Sequence, residues 1–175
     1  MKRKRWIVIF TVGVMFLFWA GDKSSVSGFL IPQREGPVGE KHRPVIRAIA
    51  AQNEIGIGHL WKIYIHATDP DGDIDQIYVS FAQPGGSYAS IPLVLRRPVK
   101  ELNGAVLTWT TLVGSGFQMG AIYASAEIRV EDRAGNISEP KTIEFTLDSF
   151  GPKDKFVPPP PFVKDIVYGQ VDFPI

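Results

Sequence analysis

The chain has 175 residues, a formal net charge of +1, no cysteine and 45% hydrophobic content, which suits about one globular domain with a hydrophobic core of its own. The lack of cysteine excludes a disulfide framework, a thiolate metal site, a cysteine nucleophile and a lipid attached through an N-terminal cysteine. The net charge hides an asymmetry: without residues 1–27 the chain carries 14 basic and 17 acidic side chains, net −3, so no basic surface for nucleic acid is expected.

Lys2, Arg3, Lys4 and Arg5 precede 15 uncharged residues, Trp6 to Ala20. A basic start followed by an apolar run is an export signal, at the upper length of a signal-peptide core and short of the ~20 residues of a full span. Residues 1–27 are read as a hydrophobic helix that is a signal peptide or a signal anchor, touching the membrane through residues 6–20 if uncut. Cleavage after Ala20 would put the bulky Phe18 where a small side chain is wanted, whereas Ser25-Val26-Ser27 fits the small-x-small pattern. The protein is expected to be periplasmic, on the cell surface or secreted. Residues 28–43, with Gly28, Gly36, Gly39, Pro32 and Pro37 among aperiodic charges, read as a flexible tether.

From residue 44 to 148 the apolar residues recur with period two between turn residues. The alternation predicts strands at 45–51, 60–68, 76–82, 91–95, 105–112, 122–130 and 142–147. In the second, Trp61, Ile63, Ile65 and Ala67 form a core face while Lys62, Tyr64, His66 and Thr68 face water. Between the second and third, Asp69-Pro70-Asp71-Gly72-Asp73 reads as a β-turn: Pro70 presets φ at the first central position, Asp71 tolerates the second, and Gly72 relieves the backbone. Asn103-Gly104 reads as the turn before the fifth strand, which places Ala105, Leu107 and Trp109 on one face. Gly114-Ser115-Gly116 marks a loop. Pro92 assigns the fourth strand to a sheet edge, since it lacks a ladder donor. No helical stripe interrupts the pattern. Seven short strands in about 100 residues predict an all-β antiparallel sandwich of two sheets.

Residues 149–175 form a tail with four consecutive prolines, Pro158 to Pro161, which favour extended polyproline II. The apolar segment behind them, Phe162, Val163, Ile166, Val167 and Tyr168, is too hydrophobic for a disordered tail. These five are the candidate partner-binding residues, docking either on another protein by strand addition or on the chain's own domain.

Ala67-Thr68-Asp69-Pro70-Asp71-Gly72-Asp73 resembles the turn between the second and third strands of bacterial extracellular immunoglobulin-like, cadherin-like and polycystic-kidney-disease-type domains. Val130-Glu131-Asp132-Arg133-Ala134-Gly135-Asn136-Ile137-Ser138 is similar to their last hairpin, with its D-x-A-G-N-x-S pattern. The resemblance covers residues 44–148 and implies an immunoglobulin-like sandwich. In that topology the turn after the second strand lies beside the turn after the sixth, bringing Asp132 and Asn136 toward Asp69, Asp71 and Asp73. These five are the candidate metal ligands, and calcium, which takes six to eight hard oxygens, is the metal their chemistry suits. Without a metal, the same aspartates cap the turns by accepting backbone hydrogen bonds.

Nothing in the sequence points to catalysis. His42, His59 and His66 show no metal-ligand spacing, and no nucleophile elbow, phosphate-cradling loop or H-E-x-x-H motif occurs. Trp61 and Trp109 alternate in phase with apolar neighbours, so core packing accounts for them better than a sugar platform does. The expected function is that of a non-catalytic exported structural or interaction module that binds a protein partner. The alternatives are a calcium-dependent adhesion or ligand-binding domain and a carbohydrate-binding accessory protein. No small-molecule ligand is expected.

Overall fold

The computed structural model describes residues 42–111 and 120–174. The N-terminal helix, most of the tether and the glycine loop at 114–116 lie outside the described residues. Ten strands occur among the described residues: β1 (Val45–Ala51), β2 (Glu54–Gly56), β3 (Leu60–Thr68), β4 (Ile74–Gln83), β5 (Gly86–Ala89), β6 (Leu93–Val99), β7 (Glu101–Thr111), β8 (Ile122–Asp132), β9 (Lys141–Asp148) and β10 (Val167–Pro174).

They form two sheets. One runs β1-β3-β7-β10; the other runs β2-β9-β8-β4-β5, with β6 also paired to β4. All seven expected strands occur, most of them longer than expected. Three more complete the sheets. Strand β2 is too short to display a period, and it pairs in parallel with β9, which buries Ile55 in the core. The third expected strand ends at Gln83, before Pro84-Gly85, which turn the chain back into β5 with Gly85 at φ +94°. The third addition, β10, comes from the tail and lies parallel to β7. The expectation of seven wholly antiparallel strands is corrected accordingly, with two parallel pairs in the sheets.

The turn at Asp69–Asp73 keeps its expected form, because Gly72 donates to the Asp69 carbonyl (3.2 Å) and has φ +80°. It does not join a hairpin, however. Strands β3 and β4 belong to different sheets, and the turn carries the chain from one layer to the other. Both strands have an apolar face, and crossing between layers lets those faces bury against each other.

Two readings of the wet and dry faces change. On β3, Trp61, Ile63, Ile65 and Ala67 are buried as expected, but so is Tyr64 on the opposite face. The tail covers it, with the rings of Phe156 and Phe162 each centred 6.2 Å from the Tyr64 ring. On β7 the core face is Val106, Thr108 and Thr110, while Trp109 remains 39% exposed. Alternation misassigned this strand because Thr110 faces inward for a polar reason. Its hydroxyl accepts from the Gly58 amide (3.0 Å) and approaches the His59 carbonyl (3.2 Å), fastening the β2–β3 turn.

Asn103-Gly104 is not a turn. Both residues lie inside β7, opposite His66 and Ile65. The glycine serves the tail instead, since a Cβ there would stand 2.8 Å from the Ile166 carbonyl oxygen and 2.8 Å from its Cγ2.

The tail is held along its whole length. Gly56 donates to the Pro152 carbonyl (2.8 Å), and the Asp154 carboxylate accepts from the Lys62 amide (2.7 Å). Asn103 grips the next stretch with both ends of its amide, donating to Pro161 O and accepting from Val163 N, each at 2.9 Å. Strand β10 then inserts Val171 and Phe173 between the sheets. Phe173 stacks on Phe81 (centroids 4.2 Å) and meets the edge of Phe145 (6.2 Å), which in turn packs on Trp61 (4.3 Å). A tail residue therefore joins an aromatic row that spans both layers.

This row makes Phe173→Ala a cavity mutation in a site with rigid strands on both sides. We expect a loss of about 3–5 kcal/mol in urea unfolding, far more than the few tenths expected for an exposed aromatic such as Phe150. A loss below about 1 kcal/mol would mean that the tail contributes no core.

Candidate functional site

The aspartate turn and the turn after β8 meet at one end of the sandwich. Strand pairing sets Ile74 opposite Asp132, and Arg133 donates its amide to the Asp73 carbonyl (3.0 Å). One carboxylate oxygen from each of Asp69, Asp73 and Asp132 lies within 4.8 Å of the others. All three residues are buried, with exposures of 1%, 9% and 1%.

Backbone geometry explains part of this burial. Asp69 Oδ2 accepts from the Asp73 amide (3.0 Å), closing the turn from inside. Asp132 does the same for the second turn: its Oδ1 accepts from the Asn136 amide (2.8 Å) and its Oδ2 from Asn136 Nδ2 (2.7 Å). Gly135, at φ +88°, donates to the Asp132 carbonyl (3.1 Å) and lets the chain reverse. Asn136 thus attends the cluster by orienting Asp132. Asp71 stays outside, where its carboxylate accepts from the His42 amide (2.6 Å) and faces His42 Nδ1 at 3.3 Å. Asp75 is likewise turned away, toward Arg133 Nε at 3.6 Å.

What capping leaves unexplained is Asp69 Oδ1, which is buried and accepts no hydrogen bond. Burial pushes the Asp69 acid above the usual carboxylate range, and the adjacent Asp73 carboxylate adds to the shift despite the opposing backbone donors. Such a group needs either a proton or a cation. The donor set fits a hard divalent cation, since each of the three carboxylates turns one hard oxygen toward the others. Asp69, Asp73 and Asp132 are the residues that would hold it.

The candidate partner-binding residues separate into two groups. The Tyr168 hydroxyl accepts from the Asn103 amide (2.8 Å), and Phe162 lies over Tyr64, so these two are committed to their own domain. Val163, Ile166 and Val167 remain 40%, 42% and 48% exposed. The histidines do not assemble a site: His66 pairs with Glu101 (3.0 Å) and His42 with Asp71. Of the two tryptophans among the described residues, Trp61 is wholly buried and donates its indole N–H to the Gln52 carbonyl (2.9 Å).

No family model matches the chain, and none of the curated proteins compared with it matches either. Among solved structures it is similar to the PKD domain of an M14-like peptidase from a Thermoplasmatales archaeon. That alignment has 18% identity and a TM-score of 0.40, and covers 62% of this chain and 98% of the other. It is also similar to the CARDB domain of a Pyrococcus furiosus protein in complex with di-metal ions, at 14% identity and a TM-score of 0.30, covering 64% and 97%. The two-sheet architecture described above rests on the strand pairing of this chain itself.

The state of Asp69 has a measurable consequence. With no metal bound, the folded state holds this proton more tightly than the unfolded chain, so the site favours folding most in acid and loses that contribution as pH rises through the raised pKa. Asp69→Asn keeps an acceptor for the Asp73 amide and removes the charge. In chelator at neutral pH we expect it to melt on the order of 2–4 °C above the parent, the gap closing toward pH 4. A variant that melts lower at neutral pH than at acid pH, relative to the parent, contradicts this account of the cluster.

Proposed function

We propose that the chain is a non-catalytic exported module, held near a membrane by its N-terminal segment, whose sandwich binds a protein partner. The observation that carries this reading is the division of the tail. Phe162, Tyr168, Val171 and Phe173 are engaged by the chain's own domain, yet Val163, Ile166 and Val167 of the same segment stay 40–48% exposed. Apolar side chains exposed on a segment that is otherwise docked on its own domain mark an interaction site. The buried carboxylates, for their part, line neither a 570 Å³ cleft nor a 470 Å³ cleft found among the described residues.

A second reading is supported by Asp69 Oδ1. A calcium ion held by Asp69, Asp73 and Asp132 would neutralise three buried carboxylates and brace the two turns against each other, making adhesion or ligand binding calcium-dependent. We expect millimolar calcium to raise the melting point of the parent by several degrees over chelator, and to leave Asp69→Asn unmoved. An identical melting point in calcium and chelator removes the metal from the proposal.

For the leading reading, the test replaces Val163, Ile166 and Val167 together by serine and crosslinks the chain in its native envelope. The crosslinked adduct is expected to disappear while the melting point holds within about 3 °C, since these positions contribute little core. An adduct that survives the replacement would show that the tail surface is not where a partner binds.

A further inference from the structure

The exposed part of the tail borders a cleft of about 470 Å³ between β6 and β10. Its apolar lining is Leu95 and Val99 from β6 with Ile166 and Val167 from the tail, and Arg96 and Arg97 stand exposed beside it. Both flanking strands are sheet edges. Strand β10 pairs only with β7 and β6 only with β4, so among the described residues no strand meets the outer edge of either. Their unpaired amides and carbonyls form a ready template for an added strand.

One end of the cleft is shut. Gly169 of β10 lies so close to β6 that a Cβ there would stand 2.3 Å from Leu93 Cδ1. The open part runs along residues 95–99, roughly 13 Å at strand rise, which is room for about four or five extended residues. The occupant is therefore short and extended.

The arginines specify its charge. Arg43 pairs with Glu139, Arg129 with Glu127 and Arg133 with Asp75, and Arg47 donates to the Thr68 hydroxyl. Arg96 and Arg97 alone among the described arginines have no such partner. Two arginines adjacent in sequence at the cleft and without an acidic partner make a local attraction for an anion.

We propose that this cleft is a docking slot for a short extended segment of another protein, apolar at alternate positions and carrying carboxylates between them. The segment adds as a strand along the β10 edge, its apolar side chains cover Leu95 and Val167, and its carboxylates take the forks of Arg96 and Arg97. This deepens the reading of the chain as a binding module and names the chemistry of its partner.

The test uses the full chain in mild detergent with two fluorescein-labelled probes, Val-Glu-Val-Asp-Val and Val-Lys-Val-Lys-Val, followed by anisotropy. The acidic probe is expected to bind at least about tenfold tighter, with the preference shrinking between ~0.1 M and ~0.5 M salt. Arg96→Glu combined with Arg97→Glu should reverse the preference. N-methylation of alternate peptide bonds in the acidic probe should weaken it at least about fivefold, since edge hydrogen bonds are lost. The proposal is overturned by equal binding of the two probes or by no saturation with either up to about 1 mM. Indifference to N-methylation together with displacement by dodecanoate would overturn it in favour of an amphiphile site. Dimerisation of the chain alone that Arg96→Glu and Arg97→Glu abolish would assign the slot to a second copy instead. Failure of the probes with loss of the crosslinked adduct in the Val163, Ile166 and Val167 replacement would remove the slot and leave the binding module standing.

Discussion

The sandwich depends on a strand that arrives last. Phe173 enters the core from β10 and joins rings from both sheets, Trp61 on one side and Phe81 and Phe145 on the other. Parallel pairing with β7 requires the chain to travel the length of the molecule first, which a crossover of a dozen or more residues permits. Residues 149–166 make that journey over the outer face of the β1-β3-β7-β10 sheet, covering Tyr64 and supplying acceptors to backbone donors along the way. The proline run does not stay extended along this path, although its composition alone would suggest it: Phe162 donates its amide to the Pro159 carbonyl (3.2 Å), closing a turn at Pro160-Pro161.

At one end of the sandwich, charge is the organising constraint. Three carboxylates are drawn together because each of two turns needs an acceptor for its own backbone amides, and the pairing of β4 with β8 places the turns side by side. Capping explains Asp132 fully, with both oxygens occupied by Asn136. It explains only half of Asp69. The residual buried oxygen is the chemical asymmetry that distinguishes this cluster from two ordinary Asx turns.

Beside the tail the constraint is an incomplete sheet. Edge strands are commonly covered or charged to prevent indiscriminate pairing. Here β10 covers the edge of β7 but creates a new edge of its own, bounded by β6 and by Arg96 and Arg97. The same insertion that completes the core thus produces the surface at which another chain could add. Core formation and the proposed recognition surface share a single segment.

Alternating apolar residues determined the seven central strands, the absence of helix in the described domain and the two-layer class, since a period-two pattern can bury a face only against another sheet. The Asp69–Asp73 turn was legible too, because Pro70 and Gly72 specify φ locally. Its role as a link between sheets was not, since a turn's residues encode reversal and not the partner of the strands it joins. The approach of Asp132 to Asp69 and Asp73 could be anticipated from motif resemblance, whereas the outward position of Asp71 could not. The phase of β7 escaped because Thr108 and Thr110 are buried by contacts distant in sequence, and Gly104 looked like a turn glycine because its real requirement is space for Ile166. The tail's hydrophobicity announced that it would dock somewhere. Only the tertiary structure decided where, because the vacancy it fills is formed by β3, β4, β7 and β9, all outside the tail, and no local pattern in residues 149–175 records the shape of that vacancy.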